Sequence, residues 1–120
     1  MTRQAALVSA KLPPLAAQAI VGNVQTAASA GSGQSDATKV TATNVQVTSG
    51  SGGIVLPVSN PGDKFFIFNV SGSNCSIYPP SGAAINALSA NSALTIATTK
   101  SCVLVFLTAT QIRSIPLVPS

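Results

Sequence analysis

The chain has 120 residues, 46% of them hydrophobic and only 7% charged, with a net charge of +4 and no histidine. That length suits one domain with a single core and an arm outside it, and leaves no room for two independent folds. An average soluble domain is about a quarter charged, so few side chains here can do ionic chemistry, and a surface this poor in charge is weakly protected against self-association.

The six cations, Arg3, Lys11, Lys39, Lys64, Lys100 and Arg113, are spread along the chain, and the two acids are Asp36 and Asp63. Nucleic-acid binders concentrate Lys and Arg on one face and interleave aromatic platforms. With no Trp, one Tyr and four Phe, this chain is not expected to bind nucleic acid. Its longest apolar run, Cys102 to Leu107, is far shorter than the roughly 20 residues a helix needs to span a bilayer, so no membrane segment is expected.

Residues 1–39 read as an extended N-terminal arm. They are rich in Ala, Ser, Gln and Gly, carry Pro13-Pro14, and end in the linker-like stretch Ala30-Gly31-Ser32-Gly33-Gln34-Ser35. Lys11 and the two prolines interrupt any apolar stretch that a cleaved leader would need, so no cleaved leader is expected. From Leu15 to Val24 the chain reads as extended with room for one helical turn. An arm of this composition has little apolar surface to offset its ordering entropy, about 1 to 2 kcal/mol per residue. It is expected to find its order on a partner surface, with Leu12, Leu15, Ile20, Val21 and Val24 as the contacting residues.

Residues 40–120 read as a β-sandwich. Short runs rich in β-branched and aromatic residues alternate with Gly, Pro, Asn and Ser. The expected strands are 41–48, 53–58, 64–70, 74–78, 84–88, 93–97, 102–108 and 112–117, eight short strands in all. Alternation places Val45 with Val47 on one face, Phe66 with Phe68 and Val70 on another, and Leu94 with Ile96 on a third. The run Cys102 to Leu107 is apolar at every position, so its second face also needs a cover, such as a subunit interface. Asn60-Pro61-Gly62-Asp63 is a strong turn sequence, Ser71-Gly72-Ser73-Asn74 reads as a hairpin loop, and Pro79-Pro80 must interrupt pairing.

The groups that drive catalysis are scarce. Without His, the serines lack the usual base. Asp36 falls in the linker-like arm and Asp63 in a tight turn, which does not suit a carboxylate pair. The chain is therefore not expected to be an enzyme, nor to hold a cofactor or a metal, since neither His nor a CxxC pair completes a ligand set. Gly50-Ser51-Gly52-Gly53 lacks the Gly-Lys-Ser/Thr ending of a phosphate loop. Cys75 and Cys102 read either as reduced core thiols or as a disulfide between neighbouring strands. Asn69-Val70-Ser71 and Asn74-Cys75-Ser76 match the glycosylation acceptor pattern, which an Asn/Ser-rich chain also meets by chance.

Tyr78, Pro79 and Pro80 head the most distinctive stretch, which runs on through Ser81-Gly82 to Ile85-Asn86-Ala87-Leu88. Two readings stand side by side. In one, Tyr78 ends a strand with its ring packed, the prolines fix a corner and Asn86 bonds local backbone. In the other, a rigid loop presents Tyr78, Pro79 and Pro80 to a partner at little entropic cost.

The order Gly53-Ile54-Val55-Leu56-Pro57, Pro61-Gly62-Asp63, Ile67-Phe68-Asn69, Ile77-Tyr78-Pro79-Pro80-Ser81-Gly82 and Ile85-Asn86-Ala87-Leu88, with Gln34-Ser35-Asp36-Ala37 and Asn44-Val45 before it, resembles small phage virion proteins over about residues 34 to 112. These occur as head decoration or cement proteins and in head or tail fibres. The resemblance implies a jelly-roll-like sandwich in a homo-oligomer, a dimer or trimer, on the capsid exterior. It also implies a major capsid protein as partner, with assembly in the host cytoplasm. The family carries a Trp near its C-terminal end, where this chain has Gln111-Ile112-Arg113. The alternatives are a fibre or receptor-binding module, and a secreted adhesin or pilin-like subunit that donates its arm as a strand.

Overall fold

The computed structural model describes residues 24–117, and side chains as far as Pro116. Ten strands form: β1 (Val24–Ala28), β2 (Thr38–Lys39), β3 (Asn44–Ser49), β4 (Gly53–Val55), β5 (Lys64–Asn69), β6 (Cys75–Tyr78), β7 (Ala84–Ile85), β8 (Leu94–Ile96), β9 (Ser101–Phe106) and β10 (Gln111–Leu117). They make a six-stranded sheet ordered β1-β3-β5-β9-β10-β7 and a four-stranded sheet ordered β2-β4-β6-β8. The fold is all-β and two-sheeted.

Each of the eight expected runs overlaps one strand from β3 to β10. β1 and β2 are additional, and they lie before residue 40. The described part of the expected arm, residues 24–39, is thus woven into both sheets, and the boundary near residue 40 falls inside the fold.

The connectivity differs from a jelly roll, whose strands are antiparallel. β1 pairs with β3 and β3 with β5, all parallel, while β2 pairs with β4 and β4 with β6, also parallel. The reason is the path of the chain, which passes from one sheet to the other and back without reversing. Parallel neighbours need a crossover of a dozen or more residues, and here the crossover of one sheet supplies a strand of the other. Reversals come only later, where β8 runs against β6, and β9 against both β5 and β10.

Tight geometry joins the coils. Ala30 and Gly53 bridge the strands through paired backbone hydrogen bonds of 3.0 and 2.9 Å. A Cβ on Gly53 would stand 2.7 Å from the Tyr78 ring and 2.8 Å from the Ser76 carbonyl, so only glycine fits under that ring. At Asn60-Pro61-Gly62-Asp63, Gly62 takes φ +92°, the Asp63 amide donates to the Asn60 carbonyl, and the Asp63 carboxylate accepts from the Asn60 amide. Proline before a positive-φ glycine is the pattern of a type II turn.

The core lies between the sheets. Val45, Val47, Ile67, Leu104, Phe106 and Ile112 point in from the six-stranded sheet, and Ile54, Cys75, Ile77 and Ile96 meet them from the other. Phe65 meets Phe106 edge to face at 6.0 Å. Ile112 is fully buried. A buried side chain of this size contributes about 1.5–3 kcal/mol.

Candidate interaction surface

Of the residues expected to contact a partner, Leu12, Leu15, Ile20 and Val21 lie outside the described residues. Val24 opens β1 and is 72% exposed. Tyr78 is half-buried over Gly53, and its hydroxyl donates to the Ser32 carbonyl at 3.4 Å, while Pro79 and Pro80 are buried. Around them a polar cluster joins distant parts of the chain. The Gln34 amide donates to the Pro79 carbonyl at 2.6 Å, and Asn91, at φ +68°, accepts from both Gln34 and the Gly82 amide. The segments Gln34–Ala37 and Tyr78–Gly82 that carried the resemblance are therefore adjacent in space.

Asn86 does not bond local backbone, as one of the two readings of this stretch has it. At φ +53° its side chain reaches β10, where Nδ2 donates to the Ser114 hydroxyl at 2.8 Å and Oδ1 accepts from the Ser114 amide at 3.0 Å. Asn69 plays a similar part inside the fold. It is buried, donates to the Ser73 and Ile96 carbonyls at 2.9 and 3.1 Å, and accepts from the Ser71 amide and hydroxyl. With both amide hydrogens committed, Asn69 is closed to glycosylation in the folded chain.

Asp36 accepts from the Gly33 and Ser32 amides at 2.9 and 3.1 Å, which holds its carboxyl below the usual range. It organises its own loop. Cys75 and Cys102 are free and buried; desolvation pushes each thiol up to about 11, and the neighbouring Cys75 adds to the shift of Cys102. Protonated thiols are poor nucleophiles and poor metal ligands. Cys102 also lines an apolar cleft of about 270 Å³ at the open side of the sandwich, between β8 and the ends of β9 and β10. Among the described residues no group of three or more Cys, Asp or Glu stands together. No helix among them is long and apolar enough to cross a membrane.

An apolar stripe lies on the outer face of the six-stranded sheet. Because β5 turns Ile67 and Asn69 inward, Phe66 and Phe68 point outward. The register then places Val24, Asn44, Phe66, Val103 and Ile115 in one row across five strands. Phe66, Phe68 and Val105 are half-buried on this face, Ile115 is 52% exposed, and Val103 in the middle of the row is down to 8%. A parallel row holds Lys64, Val105 and Arg113. No acid stands on this face among the described residues.

The uniformly apolar run Cys102 to Leu107 was the signal for this surface. Cys102, Leu104 and Phe106 fill the core while Val103 and Val105 face out. The place of Phe66 and Phe68 on the same outer face could not be read from alternation alone, which groups residues without saying which group is inside.

Comparisons with protein-family models, with curated proteins and with solved structures find no match to this chain.

Proposed function

We propose that this chain is a structural component of a phage virion, a decoration or cement protein that binds the outer surface of the head and stabilises contacts between major capsid protein subunits. The observation that carries the reading is the apolar outer face of the six-stranded sheet, built on a scaffold whose polar groups are spent on holding loops together. Asn69, Asn86, Asn91 and Asp36 all bond within the fold. The resemblance of residues 34 to 112 to virion proteins supports the same setting.

Under this reading the β-domain self-associates as a dimer or trimer, and the residues before β1 engage the shell. Avidity across linked copies multiplies weak contacts. A truncation that tests this must stop before Val24, because β1 belongs to the sheet. Deleting residues 2–22 is expected to abolish binding to purified heads while leaving the β circular dichroism spectrum intact. Binding of the truncated chain at wild-type occupancy would contradict the role given to those residues. The second reading, a fibre or receptor-binding module, gains from the rigid Tyr78–Gly82 corner and would place the chain on a fibre or tail rather than over the head.

A further inference from the structure

We infer that the outer face of the six-stranded sheet is the surface on which a second copy of this chain packs, sheet against sheet about a twofold axis. The inference deepens the proposed function, in that it rests on self-association within an assembly and names the surface responsible.

Sheets with parallel pairing are ordinarily covered on both faces, and the β1-β3-β5 half of this sheet is parallel. Its inner face meets the four-stranded sheet. Its outer face presents two phenylalanines and four aliphatic side chains, an arrangement that costs free energy in water and is regained when apolar area is removed from it. Five strands about 4.8 Å apart and about 20 Å long offer roughly 500 Å² in plan. That is close to the ~600 Å² per partner at the small end of specific interfaces, so a second sheet of the same size is a sufficient cover.

Charge selects both the occupant's orientation and its axis. Lys64 and Arg113 flank Val105 in one row. An axis running along the strands would lay that row on its own copy and set cation against cation. An axis running along the Val24–Ile115 row instead keeps each strand over its own copy, so that Lys64 comes over the partner's Phe68 and Val105 over the partner's Ser101, and the cation row no longer meets itself. There Lys64 meets an aromatic face, which attracts cations. The central row then stacks on itself, with the two sheets about 10 Å apart.

The test is sedimentation equilibrium of the full chain across the micromolar range. Ile115→Glu and Val24→Glu, at two exposed positions in the central row, are each expected to weaken the dimer by about 100-fold, since each would bury a carboxylate against an apolar face. Val58→Glu, on the loop before β5 and 83% exposed, is expected to leave it unchanged. Circular dichroism checks the fold of each variant, and either row position alone suffices for the reading. A monomeric wild-type chain, or an oligomer equally tight in both row variants, would overturn the inference. A chain that decorates heads yet stays monomeric overturns the interface alone. A chain that dimerises through this face yet does not associate with heads supports the interface and overturns the functional reading.

Discussion

Asn69 shows how a polar side chain can order an apolar sandwich. It sits on β5 among inward-facing residues and is 1% exposed, yet each of its polar atoms is used. The carbonyls of Ser73 and Ile96 that it serves belong to the loop before β6 and to β8, so one amide ties the six-stranded sheet to the four-stranded one. Asn69→Ala would leave buried donors and acceptors unmatched, at about 1–3 kcal/mol for each group. A loss of about 3 kcal/mol in urea unfolding is expected, and a loss below ~1 kcal/mol would show that water replaces the amide. The thiols act at the same scale but through pH. Their folded values stand above the ordinary 9.0 at about 11, so the stability they contribute is whole below pH 9 and declines as pH rises toward 11. Unfolding midpoints measured across that window should fall, and a flat profile would contradict burial of the thiols.

At the scale of elements, the coil of parallel strands depends on close backbone approach. Gly53 lies where β4 passes beneath Tyr78, and an added methyl would meet both the ring and the Ser76 carbonyl. Since the carbonyl belongs to the paired strand β6, moving the ring alone does not relieve the contact. Gly53→Ala is expected to cost about 1–3 kcal/mol, measured by chemical denaturation. A neutral Gly53→Ala would mean that β4 and β6 separate more easily than their pairing implies.

The same elements show what was legible in the amino-acid sequence. β3 to β10 announce themselves through β-branched and aromatic residues bounded by turn signals, and the turn at Asn60–Asp63 follows from Pro61 and Gly62. β1 and β2 do not, because Ala27 and Ala28 disfavour strands and β2 is only two residues long, so both owe their conformation to pairing with β3 and β4. The parallel connectivity was hidden for a related reason. Periodicity reports faces but not partners, and the pairing of Thr38 with Ile54 or of Val24 with Asn44 is a long-range event. Of the candidate contact residues, Val24 is exposed on the outer face, whereas Pro79 and Pro80 are buried, because the corner they form is closed by Gln34 and Asn91.

At the scale of the whole molecule, two sheets of unequal width leave one side of the sandwich asymmetric. The four-stranded sheet covers only part of its larger partner, and a cleft opens beside β8. The larger sheet turns an apolar face outward with cations at one margin. Such a body suits repeated, shape-driven contacts within an assembly better than recognition of a small polar molecule. The most direct measurement of this account is a cryo-electron microscopy map of the intact particle. The account predicts copies of this fold at symmetry-related sites on the outside of the head, with the Val24–Ile115 row of each sheet buried against a second copy. A map that shows the chain only on a tail or fibre, or on the head with that face bare to solvent, would contradict it.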